Sequence, residues 1–278
     1  MSNHWVHNLS PFLWEFPPPY SNWGPGGIRW YGISYLLGFL IAGFLLRIAW
    51  KKNRSPYDTE QLTNLLTFQI IGVLLGGRIG YAILYQGEKF LNDPTIIFRV
   101  WEGGMASHGG FVGVCIATLW YAKHSKQSPM PIADLIVSVV PPGIFFGRIA
   151  NFINGELWGR VTELKWGVIF PNAPDFVLGI ARHPSQLYAA ITEGLIPFLY
   201  IQFRFWKTNI TSLKPGHLSG EFLIIYSIGR IINEFFREPD ASLIMGLSRG
   251  QFYSIFLISG GILLILLSNR EYGIRQKN

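Results

Sequence analysis

The residues best equipped for chemistry stand at the ends of apolar runs or inside them. Gly147 to Gly159 reads GRIANFINGELWG, and it sets an arginine, two asparagines and a glutamate against the end of a run rich in Ile, Val and Phe that begins near Asp134. A guanidinium where a helix leaves hydrocarbon is costly without a partner. Arg148 and Asn151 are three residues apart and share a helix face if the helix continues. Asn154, Glu156 and Gly159 follow in a segment whose glycines let the backbone turn sharply or approach a ligand. The competing reading of this stretch is a polar cap beside an interfacial aromatic, with Arg148 snorkelling. A second set is periodic: Tyr226, Arg230, Glu234 and Arg237 fall at steps of four, four and three and so line one side of a helix, with Asn233 beside them. Such a stripe describes either a site or an internal Arg230 to Glu234 ion pair bracing a bundle, and both can hold at once.

Arg78 interrupts another apolar run, as a ligand contact or as the partner of a neighbouring helix. Guanidinium forks match phosphate oxygens. Arg78, Arg148 and Arg230 at one depth therefore predict a site for an anionic lipid headgroup. A transmembrane conduit would need polar groups on both sides, and the inner halves offer little beyond Arg47, Gln69 and Asp134. His108, followed by Gly109, Gly110 and Gly113, is the natural proton acceptor near neutral pH. Cys115 lies seven residues on, roughly 10 Å along a helix axis and beyond direct proton transfer, so it is expected to be a small buried apolar residue.

These residues must be positioned by membrane helices. Of 278 residues, 49% are hydrophobic, 15% aromatic and only 14% charged, too apolar for an ordinary soluble domain. The net charge of +7 comes without a basic run interleaved with stacking residues, which argues against nucleic acid. A single cysteine and six scattered histidines exclude a disulfide framework and predict no metal site. A bilayer core needs about 20 apolar residues of helix. Seven stretches qualify: 30–50, 64–86, 105–122, 134–150, 184–206, 219–236 and 250–268. The expected fold is an all-α polytopic membrane protein, a bundle of about seven transmembrane helices forming a single integral membrane domain over 1–278. Residues 1–29 are expected to form an extracytoplasmic interfacial arm, its first half a short helix, and 151–183 a small extracytoplasmic head containing a strand element at Lys165 to Phe170. With the N-terminus outside, basic residues at 51–54, 123–126, 207–214 and 270–277 fall in cytoplasmic segments and the C-terminus lies inside, while external segments also carry basic residues, among them Lys89, Arg99, Arg160 and Arg182. The start of the chain lacks the basic and apolar regions of a cleavable signal peptide.

Six blocks carry a resemblance: Trp30-Tyr31-Gly32, Gly76 to Tyr81, His108-Gly109-Gly110, Gly147 to Gly159, Arg182-His183-Pro184-Ser185-Gln186-Leu187-Tyr188, and Arg230 through Asp240. In this order they resemble prolipoprotein diacylglyceryl transferases, and the resemblance covers nearly the whole chain. It implies transfer of diacylglycerol from phosphatidylglycerol to the lipobox cysteine of a bacterial prolipoprotein signal peptide, forming a thioether and releasing glycerol 1-phosphate. It also implies a bacterial cytoplasmic (inner) membrane location and no cofactor, because the attacking sulfur belongs to the substrate. On this reading His108 is the base and Arg148 and Arg230 stabilise the leaving phosphate. Tyr31, Arg78, Asn151, Asn154, Glu156, Gly159, Tyr226, Glu234 and Arg237 bind or orient substrate together with Arg148. The chain departs from the family at Ala189, where glutamate is common, and Glu193 stands one turn further on.

Overall fold

The computed structural model describes residues 4–16, 26–99, 104–208, 214–239 and 242–275. Asp240 and Lys277 fall outside them, as does the Pro- and Gly-rich stretch 17–25. The chain is mostly helical. It falls into two compact units, residues 1–20, 24–42 and 136–278 forming the first, and 21–23 with 43–135 the second.

The N-terminal arm is extended, not helical. Strand β1 (Trp5–Val6) is followed by β2 (Phe12–Glu15), which pairs antiparallel with β3 (Gly27–Arg29) across an irregularity between Phe12 and Trp14. Pro11 and the aromatic residues around it favour extended backbone over helix. Helix α1 (Trp30–Lys51) comes next and runs from one unit into the other.

In the second unit, α2 (Thr59–Tyr85) opens on a capping box in which the Asp58 carboxylate accepts from the Gln61 amide at 2.8 Å and Gln61 accepts from Asp58 at 3.1 Å. A short α3 (Gly87–Asn92) and a 3-10 turn (Pro94–Phe98) lead to α4 (Ser107–His124). Helices α2 and α4 pack backbone against backbone. A Cβ on Gly76 would overlap the Gly109 carbonyl, and one on Gly72 would lie 2.6 Å from the Gly113 carbonyl oxygen, so only glycine permits this approach. Gln69 donates to Thr118 across the pair at 3.3 Å. Cys115 is exposed, which corrects the expectation of a buried residue: Gly109, Gly113 and Ala117 take the face towards α2, and Cys115 points elsewhere.

The apolar stretch at 134–150 is two helices, α5 (Pro129–Val137) and α6 (Pro141–Ile153), bent by 45°. Adjacent prolines at 141 and 142 start α6 where their missing N–H groups cost least, and they cannot continue α5. After α6, strand β4 (Val168–Ile169) pairs in parallel with β1, Trp5 opposite Val168 and Val6 opposite Ile169. Phe170 lies at the centre of its small core with Val168, Ala173, Phe152 and Trp158, and His7 binds the Phe152 carbonyl at 2.8 Å.

The stretch at 184–206 divides into α7 (Ser185–Ala189), a π-helical segment (Ala190–Leu195) and α8 (Ile196–Lys207). The π segment is held tightly, because Gly194 packs on the Phe145 backbone of α6 and Gly229 on the Thr192 backbone. Helices α9 (His217–Glu234) and α10 (Arg249–Arg275) pack on each other at Gly220 and Gly261.

Helices cover parts of all seven predicted stretches, but among the described residues three are long and apolar enough to cross a bilayer by length and composition: Trp30–Lys51, Thr59–Tyr85 and Arg249–Asn269. Counting the bent α5–α6 pair as one span makes four. The remaining stretches are shorter or carry Glu193, Arg204, Glu221, Arg230 and Glu234 within them.

Candidate active site

Three elements of the first unit bring their polar residues together around one carboxylate. Glu193, in the π segment, has a side chain 0% exposed. Arg148 of α6 reaches its Oε2 from Nε at 3.1 Å and Nη2 at 2.7 Å. Arg230 of α9 reaches its Oε1 from Nη1 at 3.2 Å. Asn233 donates to the same oxygen from Nδ2 at 3.5 Å. The helical period then extends the cluster along α9. Arg230 Nη2 lies 2.5 Å from Glu234 Oε1, and Arg237 Nη1 lies 3.7 Å from it. These α9 contacts are ion pairs rather than directed hydrogen bonds, since Glu234 Oε1 has no donor aligned on it. Three guanidiniums thus share two buried carboxylates, a positive arrangement that only strong mutual pairing sustains away from water.

Tyr226, buried one turn before Arg230, interacts with Arg148. One turn on from Arg148 along α6, Asn151 Nδ2 donates to the Tyr31 hydroxyl at 2.8 Å and to Glu156 Oε1 at 2.6 Å. Asn154 closes α6, its amide nitrogen bonded to the Ala150 carbonyl at 2.9 Å. The Gly159 amide donates to His183 O at 2.9 Å, and its carbonyl accepts from Arg182 at 3.0 Å, so this glycine pins the head to the start of α7. A small pocket lies between these elements, lined by Arg148, Asn151, Leu157, Ser185, Gln186, Ala189, Arg230, Asn233 and Arg237.

The segment 159–183 is fixed by Arg182. Its guanidinium takes both Asp175 oxygens, at 2.9 Å and 2.8 Å, and also Glu238 at 3.2 Å, while its backbone pairs in both directions with Val168. Hydrogen bonding to Arg182 holds the Asp175 carboxyl below its ordinary range. Burial pushes the His183 imidazole down from its usual value. His183 Nδ1 faces the Tyr188 hydroxyl at 3.2 Å, and that hydroxyl accepts from Trp166 Nε1 at 2.8 Å.

Among the residues singled out from sequence, Arg148, Asn151, Tyr31, Glu156, Tyr226, Arg230, Glu234 and Arg237 form one connected cluster, with Asn154 and Gly159 at its edge. Arg78 and His108 belong to the second unit. Arg78 is buried and donates to four main-chain carbonyls: Ile97 at 3.0 Å, Gly104 at 3.1 Å, and Ile96 and Arg99 at 2.6 Å each. These bonds tie α2 to the 3-10 turn and to Gly104, main-chain acceptors where the sequence left open a ligand contact or a partner on a neighbouring helix. His108 is the second residue of α4, with an exposed side chain.

A family model described as "Prolipoprotein diacylglyceryl transferase" matches residues 19–267. The chain is 43% identical over 267 residues to the phosphatidylglycerol--prolipoprotein diacylglyceryl transferase of Pasteurella multocida, covering 95% of this chain and 96% of that one. It is 44% identical to the protein of the same name from Pseudoalteromonas atlantica, over 89% and 88% of the two chains. The chain belongs to the prolipoprotein diacylglyceryl transferase family. Membership makes it a transferase of lipoprotein biosynthesis.

For a member of the prolipoprotein diacylglyceryl transferase family, the residue that sequence reasoning left without a role is Glu193. Its signal was a lone carboxylate within an apolar stretch, a placement that calls for a partner in membrane proteins. Ala189, where the family pattern leads one to look for a carboxylate, is 1% exposed and lines the pocket without a polar side chain.

Proposed function

We propose that the protein transfers the diacylglyceryl group of phosphatidylglycerol to the lipobox cysteine of a prolipoprotein, the first step of lipoprotein maturation. The observation that carries this reading is the joint hold of Arg148 and Arg230 on Glu193, beside Arg237 in a pocket that a lipid headgroup would reach from the outer side. In the reaction the substrate thiol loses its proton to His108 and the thiolate attacks the glyceryl carbon that bears the phosphate. A carbon–sulfur bond forms, the carbon–oxygen bond breaks, and its electron pair leaves on glycerol 1-phosphate. A free thiol has a pKa near 8.5, so a base is needed at neutral pH. Charge grows on the departing phosphate, and fixed guanidiniums stabilise that state more than the ground state. Arg148 and Arg230 serve here. Tyr31, Asn151, Glu156 and Tyr226 orient the headgroup or the arginines, and Glu234 and Arg237 complete the phosphate end.

The reading includes a bundle of about seven spans in the bacterial inner membrane, N-terminus extracytoplasmic and C-terminus cytoplasmic, with 1–29 as interfacial arm and 151–183 as outer head. Lipid-facing rows such as Leu36, Leu40 and Phe44 on α1 support the membrane assignment. The deciding experiment is the mass gain of a lipobox peptide incubated with purified protein in phosphatidylglycerol vesicles. His108→Ala, Arg148→Ala and Arg230→Ala are each expected to insert normally and to lose transfer by at least about a hundred-fold. Normal turnover in any of them removes that residue from the mechanism. Phospholipid counterflow without covalent product would replace the transferase with a transporter.

A further inference from the structure

The pocket contains two buried acceptors that no residue around it satisfies. Gln186 of α7 and Asn233 of α9 are each 2% exposed. Both line the pocket beside Arg148, Arg230 and Arg237, and the amide oxygen of each has no hydrogen-bond partner. Their orientation is set by the other end of each amide. Gln186 Nε2 donates to the Glu156 carbonyl at 2.5 Å, and Asn233 Nδ2 to the Glu193 carboxylate at 3.5 Å. Those partners only accept, so turning either amide over would set oxygen against oxygen. An unmet buried acceptor is costly unless a pocket water, or a ligand that displaces it, brings the donor.

We infer that Gln186 and Asn233 accept hydrogen bonds from alcohol groups of the ligand, so that the pocket selects a polyol phosphate. The guanidiniums hold its phosphate and the two amide oxygens read its hydroxyls. An ammonium could also donate to these oxygens, but three neighbouring guanidiniums repel a cation. The inference rests on the proposed function, in which the polyol is the glycerol head of the lipid donor; a soluble polyol phosphate presents the same groups.

The first experiment measures binding of glycerol 1-phosphate and of n-propyl phosphate, which lacks both hydroxyls, to the purified full chain in detergent. The wild-type protein is expected to prefer glycerol 1-phosphate by about ten-fold or more, and Gln186→Met and Asn233→Leu each to reduce that preference to about two-fold or less. Equal wild-type affinity for the two ligands overturns the inference, as does a preference that survives both substitutions. The wild-type comparison needs no variant to fold. The second experiment compares transfer to a lipobox peptide from vesicles containing phosphatidylglycerol or phosphatidylpropanol. Preferential binding of glycerol 1-phosphate without transfer from either lipid sinks the proposed function and keeps the inference for a soluble ligand. Equal transfer from both lipids does the reverse.

Discussion

At the residue scale the site is organised by opposed charges drawn from separate helices. Glu193 meets Arg148 and Arg230 where water does not reach, and removing one member of such a set leaves the others uncompensated. Glu193→Gln is expected to cost about 3 kcal/mol of stability, read as thermal unfolding in detergent, and to lower transfer by more than about ten-fold because both guanidiniums lose their common anchor. Unchanged activity in that variant would show that the two arginines are placed without it. The α9 half of this cluster was legible beforehand, because Tyr226, Arg230, Glu234 and Arg237 repeat with the helical period. The other half was not. Glu193 pairs with residues 45 and 37 positions away, a separation that carries no periodic trace. Arg78 shows the opposite limit: its type marked it as costly to bury, but that it meets the carbonyls of Ile96, Ile97, Arg99 and Gly104 depends on distant backbone the sequence does not announce.

At the element scale, the approach of backbones decides what side chains can meet. The π segment needs Gly194 against α6 and Gly229 beneath Thr192, and widening of the helix there is a feature that often accompanies functional positions. The α2–α4 contact is the cleaner test because it lies apart from the Glu193 cluster. Gly113→Val would force these helices apart, and a loss of about 2 kcal/mol or more in thermal stability is expected. A wild-type melting curve would argue that the pair is held by something other than close contact. Here the sequence was readable at one place and opaque at another. Gly72, Gly76 and Gly80 recur every four residues, a spacing that marks a smooth helix face from sequence alone. The parallel match of Trp5–Val6 with Val168–Ile169 could not be anticipated, since four residues joined across most of the chain have no local signature. The double proline at 141 and 142 was visible, yet the surrounding apolar run masked the break it causes.

At the scale of the whole molecule, the head responds to acid in two steps of the same sign. His183 has a folded pKa below its unfolded value, so protonation favours the unfolded chain once pH drops under about 6.5. Asp175 is also depressed, and the stability it contributes with Arg182 is present above about 3.9 and lost as pH falls through its lower folded value. Unfolding followed against pH should therefore weaken first near neutrality, a step removed by His183→Gln. The second step, in strong acid, should be missing in Asp175→Asn. Retention of the first step in His183→Gln would assign it to another group. Composition made a membrane protein evident, whereas the number of spans was harder to read, because stretches that look continuous by hydropathy are bent at α5–α6 or interrupted around Glu193.

The outward-pointing thiol of Cys115 has a practical use that its expected burial would have denied. Because the sequence contains one cysteine, midway along a helix proposed to span the bilayer, a small lipid-soluble thiol reagent would attach at a single known place on α4 without any engineering. Spectra from that probe could follow the second unit during turnover, reporting motion in the helix that carries His108.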